Sequence, residues 1–222
     1  MREARVMQLC DNANIVKFHG YAVGRRPYAL IMEYCNGGSV EDRLRQHKKY
    51  PVAVKKRANW LTQAVLELEY IHTKKCIHNG IAASNCLLSR DSIKIAGFGH
   101  CRRSAVYKVN LAKPLNVRWL APEVWKTGET NYCTNVYALA VMAREFFIIP
   151  YETPYKEWKE DDDVKEQVMD GFRMPPPPTM PSAVAEVMEQ LWAHDPAQRP
   201  SVADAKKLFG DAEEAADEKP DS

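Results

Sequence analysis

The side chains able to do nucleophilic, acid–base or metal chemistry are scattered along this 222-residue chain rather than grouped. Cys10, Cys35, Cys76, Cys86, Cys101 and Cys133 form no C-x-x-C pair, and no histidine stands at zinc-ligand spacing from a cysteine pair. They read as reduced thiols that behave as small hydrophobes, as in a cytosolic protein. The stretch Cys76-Ile77-His78-Asn79-Gly80-Ile81-Ala82-Ala83-Ser84-Asn85 has no period, and Gly97-Phe98-Gly99 follows it. One imidazole, one hydroxyl and two amides can hydrogen-bond there, but no carboxylate stands among them to take a proton or hold a divalent cation.

The elements around this stretch are legible from period and punctuation. Residues 2–9 look helical, and the chain opens inside that helix without an N-cap. Two β-type runs follow, Ile15 to Ala22 and Tyr28 to Glu33, joined by a turn at Gly24 to Pro27. Ser39 with Asp42 three residues on marks the start of a short helix. After Pro51, apolar residues at Val54, Ala58, Leu61, Val65, Leu68 and Ile71 or His72 describe one buried stripe of a long helix. Cys86 to Leu88 and Ile93 to Ala96 read as strands about a turn at Arg90-Asp91, and Gly97 to Lys113 as a polar surface loop. From Tyr132 a second buried helix is expected, then a proline-rich run and two last helices near 183–193 and 202–209. Strands early and helices late give an α+β order.

Composition excludes little. The formal net charge of +2 offers no argument for nucleic acid or an acidic membrane surface, and no apolar run reaches membrane-spanning length. Residues 211–222 carry net −5, leaving +7 for the rest, and this Ala-rich acidic end is expected to be a disordered tail.

The order of these segments resembles a protein tyrosine kinase domain. Residues 76–85 are similar to the catalytic loop H-R-D-L-x-x-x-N, with the Ala-Ala of the tyrosine-kinase version. Gly97-Phe98-Gly99 stands where D-F-G belongs, and Ala121-Pro122-Glu123 matches A-P-E. Val117-Arg118-Trp119-Leu120 looks like the tyrosine-kinase substrate loop, and Asp195 to Ser201 resembles the late D-P-x-x-R-P segment. Glu3-Ala4-Arg5 with Asn14-Ile15-Val16 looks like helix C and the strand after it, most similar to cytoplasmic kinases of the Fes/Fer type.

The resemblance implies a kinase-like fold: residues 1–33 as a residue of the N-lobe, 34–210 as the helical C-lobe, 211–222 as the tail. It also implies which chemistry is gone. The catalytic-loop Asp that accepts the substrate proton is Gly80, and the Mg²⁺-binding Asp is Gly97. Asn79 replaces the arginine that meets a phosphorylated activation loop, and Tyr107, at the activation-loop tyrosine position, reads as a solvated loop residue. No G-x-G-x-x-G or V-A-I-K segment is present, so Glu3 reads as an exposed helix carboxylate. Vestigial nucleotide contacts fall to Glu33, Cys35, Asn85 and Leu87, with Met32 at the back, and Asn85 as the remaining metal-ligand position. Structural roles fall to the Glu123–Arg199 ion pair, to Asn135 as the anchor of the catalytic loop, and to Met7, Phe18, His78 and Phe98 as a central stack.

Three functions follow from the resemblance. The first is a catalytically inactive pseudokinase, a scaffold or competitor in tyrosine-kinase signalling. It would be cytoplasmic, take kinases or their substrates as protein partners, bind no nucleic acid and need no cofactor. The second is a non-receptor kinase moving the ATP γ-phosphate to protein tyrosine with Mg²⁺. The third is a truncated isoform of such a kinase.

Overall fold

α1 (Arg2–Leu9) turns Ala4, Val6 and Met7 into the core. β1 (Phe18–Ala22) and β2 (Ala29–Met32) form an antiparallel hairpin. The first strand is shorter than the sequence suggests, because Ile15 and Val16 bond elsewhere: Val16 N–H donates to the Ile95 carbonyl at 3.0 Å, and Ile95 N–H to that of Asn14 at 2.8 Å. α2 (Val40–Arg45) starts at the expected capping box, where Ser39 Oγ accepts from Asp42 N–H at 3.0 Å and Asp42 Oδ2 accepts from Ser39 N–H at 3.1 Å.

α3 (Val54–Thr73) buries Ala58, Leu61, Val65, Leu68 and Ile71 along one stripe, while Val54, at its open end, is exposed. β3 (Cys76–Ile77) leads into the aperiodic stretch, which closes in a 3-10 turn over Ala83–Asn85. β4 (Cys86–Ser89) and β5 (Ser92–Ile95) form the expected hairpin. The computed structural model describes residues 2–24, 26–111 and 115–217.

Gly97 to Lys113 departs from a plain surface loop. Phe98 and Cys101 are buried, β6 (Arg102–Arg103) pairs with β3, and β7 (Val106–Lys108) pairs with β8 (Glu129–Asn131). Strands of two and three residues are too short to show a period, and their partners lie far off in sequence. Between them, α4 (Pro122–Thr127) opens on Pro122 and closes at Gly128, whose φ of +72° suits a glycine and whose N–H donates to the Val124 carbonyl at 2.8 Å.

α5 (Tyr132–Phe147) is the axis of the fold, buried on all sides from Thr134 to Phe147. The Arg57 guanidinium reaches the carbonyls of Phe146 and Phe147 at its C-terminus, and Asn131 caps its start. α6 (Asp161–Met169), not anticipated from the sequence, buries only Val164 and Val168. α7 (Ser182–Leu191) and α8 (Val202–Asp217) complete the helical layer, α8 packing on α3 and α7. α8 continues past the expected start of the disordered tail: Val202, Ala205, Phe209 and Ala212 extend one buried stripe, and the backbone is helical to Asp217. Residues 218–222 of that tail lie outside the described residues. The architecture is α+β, with four two-stranded antiparallel ladders among the described residues around a helical core.

Candidate functional site

The aperiodic stretch between β3 and β4 is held by α5. Asn135 Oδ1 accepts the backbone N–H of His78 at 2.8 Å, and Glu145 Oε2 accepts that of Ala83 at 3.1 Å. The His78 side chain is fully buried and meets Phe98 edge to face, ring centroids 4.9 Å apart. Burial pulls its pKa down to about 4, so the ring is neutral and is a packing element rather than a base. Met7 is buried and Phe18 packs at the core's edge.

At the centre, two glycines and an asparagine fit one another. Asn85 Nδ2 donates to the Gly80 carbonyl at 2.7 Å. Gly97 has φ +79°, the left-handed region, and a Cβ built on it would lie 2.5 Å from Asn85 Cγ and Oδ1. The Asn85 amide thus stands where a side chain at 97 would begin. The space at Gly80 is less crowded, a Cβ there meeting Asn85, Gly97 and His78 atoms at 3.3–3.4 Å. Among the described residues no group of three or more His, Cys, Asp or Glu is arranged to hold a metal ion. With no carboxylate at 80 or 97 and the lone amide of Asn85 bound to the loop backbone, these residues do not fit Mg²⁺.

The other positions singled out from the sequence disperse. Glu33 N–H donates to the Lys17 carbonyl at 2.8 Å, and its carboxylate pairs with Lys94 at 2.9 Å. The hydrogen bond from Lys94 and that from the Lys17 N–H hold the Glu33 carboxyl below its ordinary range, against the cost of burial. Cys35 is buried, which raises its thiol pKa, and Leu87 pairs with Lys94 in the β4–β5 hairpin. Met32 is exposed. Asn79, at φ +58°, donates from Nδ2 to the His100 carbonyl at 3.3 Å. Glu3 is half-buried rather than exposed, because its carboxylate lies over Gly99: a Cβ on Gly99 would be 3.6 Å from Glu3 Oε2. Tyr107 likewise is not a free loop tyrosine. It is half-buried in β7, with the Arg102 guanidinium 4.8 Å from its ring centre.

Val117, Arg118 and Trp119 form a 3-10 turn in which Arg118 and Trp119 have fixed partners. Arg118 donates to the carbonyls of Pro154, Tyr155, Trp158 and Lys159 at 2.8–3.1 Å and pairs with Asp161 at 3.3 Å. Trp119 Nε1 donates to Glu145 Oε2 at 2.8 Å. Glu123 and Arg199 meet in two parallel bonds of 2.7 and 2.8 Å, with the Arg199 side chain wholly buried. Breaking a buried pair of this kind typically costs about 3–5 kcal/mol.

Sequence reasoning missed Glu145. Its two oxygens collect Ala83 N–H, Trp119 Nε1–H and Tyr151 O–H, the last at 2.7 Å, so it ties the 76–85 stretch to the 117–119 turn. Burial raises its pKa to about 7 against those three donors. The available signal was a carboxylate within a helix whose residues from Val136 to Ala143 are otherwise apolar.

A cavity of about 390 Å³ opens beyond Gly80, away from Glu33 and Leu87. Asn79, Gly80, Tyr107, Asn116, Trp119 and Asn135 are among the residues that line it.

The family profile described as protein tyrosine and serine/threonine kinase matches residues 1–209. The chain is 30% identical over 210 residues to the human tyrosine-protein kinase Fer, covering 93% of the chain and 25% of Fer. It is 31% identical over 205 residues to the transforming protein Fps of Fujinami sarcoma virus, covering 90% of the chain and 23% of that protein. With the Fer-related kinase 1 of Caenorhabditis elegans it shares 30% identity over 201 residues, 90% of the chain and 50% of the relative. The chain therefore spans about a quarter of the length of the first two relatives and half of the third.

Proposed function

Because the chain belongs to the protein tyrosine and serine/threonine kinase family, we propose that it is a catalytically inactive member that works as a protein-binding scaffold or competitor in tyrosine-kinase signalling. The observation that carries this reading is the fit of Asn85 against Gly97. Kinase catalysis is largely positioning and charge neutralisation around an ATP held with Mg²⁺. Here the metal-binding carboxylate is missing, and the neighbouring amide stands in its space. Gly80 offers no group to accept a hydroxyl proton, a loss typically worth about 10²–10⁴ in rate. His78 does not replace it, being buried, neutral and turned to Phe98.

What supports a surviving binding role is the completeness of the framework. Asn135, Glu145, Arg118 and the Glu123–Arg199 pair all have full sets of partners. The surface around Val117 to Leu120 is the one we assign to protein partners, kinases or their substrates, in the cytoplasm. No helix among the described residues is long and apolar enough to cross a membrane.

The names of the relatives favour the alternative that this chain, or a longer product containing it, transfers phosphate to tyrosine. A thermal-shift titration with ATP and Mg²⁺ separates the two. A ligand at about 100 times its Kd adds about 2.7 kcal/mol of stability. The expected result is no change of Tm at millimolar nucleotide. A Tm that climbs steadily with ATP and needs Mg²⁺ contradicts the proposal.

A further inference from the structure

Three of the six cysteines converge in the core from segments far apart in the chain. Cys10 closes α1, its N–H donating to the carbonyls of Val6 and Met7 at 3.2 and 3.3 Å. Cys76 opens β3, and Cys101 stands just before β6. In the β3–β6 ladder Cys76 faces Arg103 and Ile77 faces Arg102. Cys101, two residues before Arg103, therefore lies on the same side of the ladder as Cys76. α1 packs on the 3-10 turn Phe98–His100 that precedes Cys101. The Cys76 thiol is in contact with those of both Cys10 and Cys101. All three residues are buried, none more than 2% exposed.

The surroundings mark Cys76 as the nucleophile of the group. Contact with the Cys10 thiol, then with that of Cys101, favours its thiolate against the cost of burial, and Arg103 across the ladder adds to this. Cys10 and Cys101 are held as thiols by Cys76 and by burial. Buried thiols are ordinarily inert because reagents do not reach them. Cys10, however, is carried by α1, a helix of eight residues. Local opening of such an element needs less free energy than global unfolding, and it uncovers the group.

From three buried thiols brought together by α1, β3 and the segment before β6, we infer that Cys10 and Cys76 are a redox pair, oxidised by a hydroperoxide to a disulfide that fastens α1 to β3. The Cys76 thiolate attacks one oxygen of hydrogen peroxide and the O–O bond breaks. The hydroxide released leaves as water with the proton that Cys76 gave up. The Cys10 sulfur then attacks the sulfur of the Cys76 sulfenic acid. The S–S bond forms, the S–O bond breaks, and the hydroxyl leaves as a second water with the Cys10 proton. The two thiols lose two electrons and the peroxide gains them. A dithiol reverses the step by exchange. None of this depends on whether the chain transfers phosphate.

The test treats the whole purified chain with millimolar hydrogen peroxide under native conditions, then alkylates it and maps its peptides without reductant. The expected product is a Cys10–Cys76 disulfide, with Cys86, whose sulfur lies against Met142 Sδ at 3.5 Å, left as a thiol. Closing so long a loop is expected to raise Tm by about 5–15 °C, and dithiothreitol to return it. Cys101→Ala keeps both the bridge and the shift, whereas Cys10→Ala loses both. The same treatment in urea gives mixed pairs. A folded chain that keeps Cys10 and Cys76 as thiols overturns the inference. So does a bridge that forms only in urea, or one that joins Cys76 to Cys101 in the native chain.

Discussion

Asn85 joins the two glycines Gly80 and Gly97. It bonds the Gly80 carbonyl and fills the space in front of Gly97. Gly97→Ala therefore meets two costs, a non-glycine residue at φ +79°, worth about 1–2 kcal/mol, and the contact with Asn85. Asn85→Ala removes the second. In urea denaturation, the double variant is expected to be more stable than the sum of the singles by about 0.5–3 kcal/mol, the range for residues in contact. Strict additivity contradicts the geometry. Gly80 and Gly97 were legible in the sequence because ordered motifs flank them, but their mutual arrangement with Asn85 was not. Motif spacing gives positions, whereas the 2.5 Å approach depends on the left-handed turn at Gly97.

At element scale, α5 organises the site through two side chains of unlike visibility. Asn135 was readable from the motif order. Glu145 was not, because its three partners come from three separate segments of the chain. Its pKa rises from 4.5 to about 7 in the fold, as does that of Glu67, again chiefly by burial. The folded state then binds more protons than the unfolded one between those values, so both carboxyls stabilise most at low pH and lose that contribution as pH rises to about 7. His72 and His78 fall from 6.5 to about 4 by burial, and their contribution has the opposite sign, growing as pH rises through 4 to 6.5. The two pairs oppose each other over most of this window. Glu145→Gln removes one falling contribution, so its stability relative to the parent is expected to rise with pH from about 5 to about 7.5. Chemical denaturation at both ends of that range checks this. A stability difference unchanged with pH would show that Glu145 keeps its ordinary pKa.

Across the whole molecule, packing and chemistry separate. The helical core around α5 is closed, and the Glu123–Arg199 pair fastens α4 to the segment before α8. The β1–β2 hairpin is the contrast, with Tyr21, Tyr28, Ile31 and Met32 all exposed. The long helices were legible because their stripes span many turns. Short ladders such as β3–β6 and the continuation of α8 were not, because their stability comes from partners elsewhere in the chain. The α+β class and the family followed from the order of segments; the cavity beyond Gly80 needed three dimensions.

The proposed inability of this kinase-family chain to transfer phosphate is directly measurable. Purified protein, first shown to unfold in one cooperative transition, is incubated with Mg²⁺, γ-labelled ATP and a tyrosine-containing polypeptide. The expected result is no label above the protein-free blank. Label that scales with protein concentration and vanishes in Asn85→Ala would show an active kinase.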